Sequence, residues 1–224
     1  MMININSQLV IYTTTFLLIV GTVFFFTFEN DHTLKGIDLS GKIAHSFFGS
    51  VTPRTAGFNS INMGQLSIAT VVLTIFLMWV GASPVSTGGG IKTSTFAIAI
   101  LNVLRIARVK KHIEFHKREF HERSVDRAFA IIILSIVILG CSSLIMYLIE
   151  PDKGALRILF ECVSAFGTVG LSLGITPLLT DLSKLLLVLL MYMGRMGIIT
   201  LLFALFRKTK TSVYRYPKEN IVIT

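Results

Sequence analysis

The chain has 224 residues, of which 53% are hydrophobic and 15% charged, and its mean hydropathy is +0.74. A soluble domain carries about 25% charged residues, so this composition excludes an ordinary soluble domain, a disordered chain and a nucleic-acid-binding domain with a solvated surface. It indicates an integral membrane protein, if the apolar residues form runs long enough to span a bilayer. The net charge of +9 is then expected to mark the cytoplasmic side, where basic residues collect.

Four long apolar runs are predicted to enter the membrane, at residues 8–28, 66–104 (interrupted at 81–90), 128–149 and 182–206. The first run has 21 residues and would cover about 31 Å as a helix, close to the roughly 30 Å of a hydrocarbon core. It has neither a basic leading segment nor an A-x-A cleavage site, so it is predicted to be a spanning helix rather than a signal peptide.

Two shorter apolar segments, residues 43–51 and 155–166, lie between these runs and are too short to cross. Each leads into a glycine-containing stretch, TPRTAGFNS in the first case and GTVGLSLG in the second. This pattern predicts re-entrant loops, in which a half-helix enters the membrane and extended backbone returns. Irregular backbone at membrane depth is tolerated only where it is buried in protein or lines a water-filled path. The two loops therefore point toward a pore.

Charge predicts the sidedness of these loops. Basic residues are dense in the segment 105–127 and in the tail from 207 to 218, so both are expected in the cytoplasm and the re-entrant loops outside. The acidic flanks at Glu29 to Asp31 and Glu150 to Asp152 are then expected at the outer mouth, where they would concentrate cations.

The chain also contains an internal repeat. A shift of 113 residues aligns Phe47 with Phe160, Thr55 with Thr168 and Gly57 with Gly170. The predicted fold is therefore all-α and integral to the membrane, with two units at 1–113 and 114–224 that each read span, re-entrant helix, T-x-G turn and span. Two such units do not enclose a pathway, so the chain is expected to be half of a four-unit ring or to pair with another copy.

The T-x-G turns predict an ion filter. Potassium-channel filters use four TVGYG loops whose backbone carbonyls replace the hydration shell of the ion, and glycine supplies backbone angles closed to other residues. One T-x-G is weak evidence, and a structural turn is the alternative, but two copies in the same context strengthen the prediction. The expected K⁺ ligands are the carbonyls of Thr55, Ala56, Gly57 and Phe58 and of Thr168, Val169, Gly170 and Leu171.

Four stretches, SVTPRTAGFNSI, GASPVSTGGGIKT, SAFGTVGLSLG and YMGRMG, resemble the Trk/Ktr/HKT superfamily of potassium transporters. The resemblance covers essentially the whole chain and corresponds to the third and fourth of that family's four membrane–pore–membrane repeats. It implies a single-chain imitation of a tetrameric channel, with Gly57 and Gly170 on filter positions. The first two repeats are missing, through a fragment, a split gene or an alternative start, so the chain is not expected to conduct alone.

The glycine-rich break at 81–90 has three interpretations. A phosphate-binding P-loop requires G-x-x-x-x-G-K-[ST], and here Ile91 separates Gly90 from Lys92. A kinked helix with close packing is the second. The family resemblance favours the third, an intramembrane loop that obstructs the pore and moves to gate it, with Gly88, Gly89, Gly90 and Lys92 as its candidate residues.

Arg195 lies within the fourth apolar run. A charge at the centre of a spanning helix costs about 2.5–3.5 kcal/mol, so Arg195 is a functional candidate expected to face the protein interior, with a snorkelling arginine as the alternative. The resemblance implies a position in the pore near the gating loop, where its charge would repel cations. Lys92 is a weaker candidate for the same role.

Two possible metal or thiol sites are set aside. His112, Glu114 and His116 form HxExH rather than the HExxH of zinc proteases, and with His121 they are predicted to belong to a solvated basic linker. Cys141 and Cys162 lie in apolar stretches without metal-ligand spacing and are predicted to be buried thiols.

The predicted function is passive potassium uptake across the plasma membrane, the bacterial inner membrane by resemblance, with K⁺ as the transported ion and no cofactor. No catalytic constellation is visible, and Glu161 has no acid or base partner in the apolar runs, so an enzyme is not expected. The resemblance implies a homodimer of full-length subunits and cytoplasmic nucleotide-binding regulatory subunits. A non-transporting membrane scaffold and a sodium-selective or coupled transporter remain alternatives.

Overall fold

A computed structural model describes residues 4–84, 86–108, 114–115, 118–120 and 122–197. Its helices are α1 Ile5–Glu29, α2 Leu39–Val51, α3 Ile68–Trp79, α4 Thr93–Ala107, α5 Glu122–Ile149, α6 Ala155–Phe166 and α7 Asp181–Met196. Single 3₁₀ turns lie at Met63–Gln65, Pro151–Lys153 and Thr176–Leu178, and strands β1 Glu114–Phe115 and β2 Arg118–Glu119 form a two-residue antiparallel hairpin. The all-α prediction therefore holds, apart from this hairpin in the basic linker.

The two long helices α1 and α5 match the predicted first and third spans. By length and composition, Ile5–Glu29 and Arg123–Ile149 are the two described helices able to cross a membrane. The 25 residues of α1 cover about 37 Å. Both helices expose many large apolar side chains, a surface suited to lipid rather than water. Cys141 lies on the exposed side of α5, so only Cys162 is the buried thiol that was predicted.

The predicted interruption of the second span is confirmed. Helix α3 ends at Trp79 and α4 begins at Thr93, and between them Val80 and Ile91 pair as a short parallel bridge. The N–H of Ile91 donates to the carbonyl oxygen of Trp79 at 3.1 Å. Residues 81–90 therefore form a loop whose two ends are hydrogen-bonded to each other, between the helices α3 and α4.

The short helices α2 and α6 lie where the sequence predicts two re-entrant helices. Helix α6 has the predicted bounds, whereas α2 begins four residues earlier than predicted, at Leu39. Helix α6 is buried along most of its length and contributes Phe160 and Phe166 to a core that also includes Met78 of α3 and Leu190 of α7. The two halves thus share one hydrophobic core, with α6 at its centre.

Parts of the sequence predictions fall outside the described residues. The predicted boundary between the two units adjoins residues 109–113, which lie outside the described residues. The histidines at 112, 116 and 121 also lie outside them. Helix α7 ends at Met196, and the predicted fourth span beyond residue 197, with the whole basic tail, is likewise outside.

Two buried carboxylates tie the ends of successive helices together. Glu29, the last residue of α1, is 0% exposed and accepts from the N–H of Ser67, the N-cap of α3, at 2.9 Å. Glu150, directly after α5, accepts from the N–H of Thr180, the N-cap of α7, at 2.6 Å. Negative charge is favourable at a helix N-terminus. Both carboxylates are therefore bonded to helix ends, while Asp31 and Asp152 of the same acidic flanks are exposed, and the prediction that the flanks concentrate cations at an outer mouth stays a prediction.

The carboxylate of Glu150 makes stability depend on pH. The hydrogen bond from the Thr180 N–H lowers the pKa of Glu150 below its ordinary value of 4.5, against the opposing effect of partial burial. A lowered pKa in the folded state stabilises the fold above the unfolded pKa, and this stabilisation is lost as the pH falls through the folded pKa. We expect Glu150→Gln to lower the melting temperature at pH 7, by an amount that shrinks below pH 4.5.

Thermal unfolding of the detergent-solubilised chain between pH 7 and 3 measures this difference. Asp152→Asn, an exposed carboxylate two residues away, is the control and should change the melting temperature little at any pH. If Glu150→Gln lowered the melting temperature equally at pH 3 and pH 7, the result would contradict a stabilising bond from the Thr180 N–H to an ionised Glu150.

Gly194 is required by the contact between α7 and α6. A β-carbon at this position would overlap the carbonyl oxygen of Phe166 and lie 2.8 Å from its carbonyl carbon, and neither is able to move aside as a side chain would. We expect Gly194→Ala to destabilise the chain by about 1–3 kcal/mol, as overpacking does. In Gly140→Ala the added carbon meets nothing within 4 Å, and this variant should melt at or above the parent temperature. Equal melting temperatures for the two variants would refute the contact.

Candidate functional site

The two T-x-G loops share an unusual backbone conformation. Thr55 and Gly57 have φ of +68° and +72°, and Thr168 and Gly170 have φ of +52° and +88°. The residue between each pair keeps an ordinary negative φ. A non-glycine residue in the left-handed region costs about 1–2 kcal/mol, and such strain persists where the surroundings enforce it, often at functional sites. The repeat seen in the sequence is thus also a repeat of backbone geometry.

A hydroxyl from the preceding helix end holds each loop. Thr52 donates its hydroxyl to the carbonyl oxygen of Phe58 at 2.5 Å. Ser164 donates to the carbonyl oxygen of Leu171 at 2.6 Å. Both acceptors directly follow the loop glycine, so the carbonyl after each glycine is fixed. The sequence did not indicate Thr52 and Ser164 as a pair, because the shift of 113 aligns Thr52 with Ala165, one position beyond Ser164.

The two loops meet at their glycines. A β-carbon on Gly57 would overlap the carbonyl oxygen of Val169. A β-carbon on Gly170 would lie 4.0 Å from the Cα of Gly57. The structure therefore brings the two predicted filter segments together from residues more than 100 positions apart in the chain.

The glycine-rich segment packs against both loops. The N–H of Gly89 donates to the hydroxyl oxygen of Thr168 at 2.7 Å. A β-carbon on Gly88 would lie 2.8 Å from the hydroxyl oxygen of Thr55, so only a residue without a side chain fits there. Each loop threonine is thus in contact with the segment between α3 and α4.

Lys92 binds the segment that precedes it. Its Nζ donates to the carbonyl oxygens of Gly88 at 2.5 Å and Ser86 at 3.0 Å. Lys92 is also the N-cap residue of α4. Its ammonium group therefore fixes the glycine-rich segment to the start of α4, a contact that the sequence did not predict.

Arg195, in the last turn of α7, is exposed rather than enclosed by the described residues. It lines a pocket of about 330 Å³ whose opposite wall is the second loop, through Thr168 and Gly170. The structure thus brings Arg195 beside the second loop. The prediction that Arg195 faces the interior of a complete pore stays a prediction.

The exit from the second loop is bonded to a buried carboxylate. Glu161 of α6 is 4% exposed, and it accepts from the hydroxyls of Ser172 and Thr176 and from the N–H of Leu173. The sequence did not indicate these partners of Glu161, because they are hydroxyls and an amide rather than an acid or a base. Elsewhere in the described part of the chain, no group of three His, Cys, Asp or Glu side chains is placed to hold a metal ion.

Comparison with known proteins identifies similar chains. The family described as TrkH, cation transport protein, matches residues 2–212. The chain is 36% identical to Ktr system potassium uptake protein B of Vibrio alginolyticus over 98% of its own length and 48% of the relative. It is 37% identical to Ktr system potassium uptake protein D of Bacillus subtilis, over 95% of this chain and 48% of that one. A third relative, potassium/sodium uptake protein NtpJ of Enterococcus hirae, is 37% identical over 99% of this chain and 50% of the relative.

Among solved structures, the potassium transporter TrkH of Vibrio parahaemolyticus superimposes with a TM-score of 0.71 over 90% of this chain and 44% of that one. At 20% identity this likeness concerns the fold alone. The chain spans about half the length of the curated relatives that it matches.

The geometry of the loops predicts unequal effects of two matched substitutions. Gly57→Ala and Gly170→Ala introduce the same left-handed strain, about 1–2 kcal/mol each. Gly57→Ala also forces the added carbon against the carbonyl of Val169, whereas Gly170 has open space. We expect Gly57→Ala to lower the melting temperature clearly more than Gly170→Ala. The opposite order would show that the two loops do not meet as described.

Proposed function

Because the chain belongs to the TrkH family of cation transport proteins, we propose that it supplies two of the four ion-coordinating loops of a potassium uptake pore. The observation that carries this proposal is the pair of T-x-G loops, which have matching left-handed residues and meet at their glycines. Carbonyl oxygens replace the hydration shell of K⁺ in filters built from such loops. The candidate ligands are the backbone carbonyls of Thr55 to Phe58 and Thr168 to Leu171.

The backbone geometry supports a role in coordination. Alternation of left-handed and ordinary φ along a strand turns successive carbonyls toward one side, which a regular strand does not do. Hydroxyl tethers from Thr52 and Ser164 then limit the movement of the following carbonyls. An ion that exchanges its water shell for these oxygens would meet a preformed site.

Two loops enclose only part of a pathway, and the chain spans about half the length of its relatives. We propose that two further loops, from a longer form of this chain or from a separate chain, complete a four-loop ring. In this proposal the complete subunits form a homodimer in the plasma membrane. The relatives are named as parts of a Ktr system, which supports further subunits as partners. In this proposal those partners are cytoplasmic nucleotide-binding regulatory subunits.

The glycine-rich segment is proposed to be the gate. It contacts both loop threonines, and Lys92 holds it against the start of α4. Displacement of this segment would break the contact from Gly89 to Thr168 and free that end of the loops. Arg195, beside the second loop, adds positive charge that opposes cation passage. Transport is then passive permeation, with no catalytic step.

Sodium is the second candidate for the transported ion. The relative from Enterococcus hirae is named a potassium/sodium uptake protein and is as similar as the two Ktr relatives. The test of function therefore measures both ions.

We expect this chain to restore growth at low external potassium when it replaces the matching segment of the Vibrio alginolyticus relative, in a bacterial strain that lacks potassium uptake. The chain expressed alone should not restore growth. Gly170→Ser in the chimera should weaken growth, because serine disfavours the left-handed backbone at that position. The variant Gly140→Ser, in open space on α5, is the control and should grow as the parent does.

A chimera that reaches the membrane and takes up neither potassium nor sodium would overturn the proposed function. Full growth with Gly170→Ser would overturn the proposed filter. It would favour a membrane scaffold, in which this glycine serves only packing.

A further inference from the structure

We propose that Glu161 is a positioning residue, which fixes the exit of the second loop and thereby sets how strongly the pore discriminates potassium from sodium. This inference rests on the proposed function and deepens it. Glu161 is buried in α6, directly behind the loop, and is not one of the carbonyl ligands.

The carboxylate accepts hydrogen bonds from three donors of the exit segment, on Ser172, Leu173 and Thr176. Its Oε1 accepts from the hydroxyl of Ser172 at 2.5 Å and from the N–H of Leu173 at 3.2 Å. Its Oε2 accepts from the hydroxyl of Thr176 at 2.8 Å. A buried ion is costly unless it is well hydrogen-bonded. Three donors offset that cost, and they also bind the loop exit to the helix that precedes the loop.

The contacts of Glu161 continue those of Ser164. Ser164 fixes the carbonyl of Leu171, and Glu161 fixes the two residues that follow. On the other side of Gly170, the hydroxyl of Thr168 is bonded to Gly89. The stretch around Gly170 is thus anchored at both ends, and its carbonyls have little freedom to close around a smaller ion.

The first loop lacks this anchor. In sequence, the shift of 113 aligns Glu161 with Phe48, which has no carboxylate. The corresponding exit of the first loop has a local contact instead, from the N–H of Gly64 to the side-chain oxygen of Asn62 at 3.0 Å. The two loops therefore differ in rigidity although they share backbone geometry, and the second loop is the stiffer of the two.

Rigidity matters because K⁺ and Na⁺ differ in radius. A loop held at the spacing that suits K⁺ leaves the smaller Na⁺ under-coordinated, whereas a loosened loop adapts to both. With 4% exposure and its oxygens occupied by three donors, the Glu161 carboxylate reaches the ion only through the loop that it holds.

The test uses the chimera described above, with uptake of potassium and sodium measured separately as a function of concentration. Glu161→Gln keeps the size of the side chain and removes its charge, and Thr176→Val removes one of the three donors. We expect each variant to reduce the ratio of potassium to sodium kcat/KM by about tenfold, the equivalent of roughly 1.4 kcal/mol. The double variant should reduce this ratio little more than either single variant does, because the two substitutions break the same contact.

Asp181→Asn is the matched control, since Asp181 is an exposed carboxylate at the start of α7 and should leave the ratio unchanged. An unchanged ratio in Glu161→Gln, at the membrane level of the parent, would overturn the inference, as would a lower maximal rate for both ions with the ratio intact. If Glu161→Gln fails to reach the membrane, an unchanged ratio of potassium to sodium uptake in Thr176→Val would overturn the inference instead. A parent chimera that reaches the membrane and transports neither ion overturns the proposed function, and this inference with it.

Discussion

The structure depends on one constraint, that backbone polar groups leaving a helix within an apolar environment must still be hydrogen-bonded. At the two T-x-G loops the chain gives up helical pairing in order to turn back. The hydroxyls of Thr52 and Ser164 then bond the freed carbonyls, and the glycine-rich segment presents an N–H to Thr168. The polar residues around the loops are explained by this requirement.

The two repeats satisfy the constraint by the same means at different sequence spacings. Each has a carboxylate at the end of its first span that accepts from the N-cap of its last span, through Glu29 and Glu150. The caps themselves, Ser67 and Thr180, obey the shift of 113, whereas the carboxylates do not, because the connection from α1 to α2 is longer than that from α5 to α6. In the proposed function, the loops, which repeat strictly, would coordinate the ion, and the carboxylate of Glu161, which does not repeat, would position the second loop.

Much of the fold could be predicted from the sequence, because membrane spans follow from length and hydropathy. The bounds of α6, the break between α3 and α4 and the T-x-G turns were all predicted in this way. The contacts of Glu161 and Lys92 could not be predicted. They join a charged side chain to hydroxyls, amides and carbonyls, which have no distinctive spacing in a sequence.

The most direct measurement of the central claim is the position of a bound cation. Crystals of the transporting chimera grown in thallium, an anomalous scatterer of K⁺-like size, would locate it. The account predicts an anomalous peak between the two loops, within bonding distance of the carbonyl oxygens of Gly57 and Gly170. Thallium bound elsewhere along the pathway, with none between these carbonyls in a chimera that transports potassium, would contradict it.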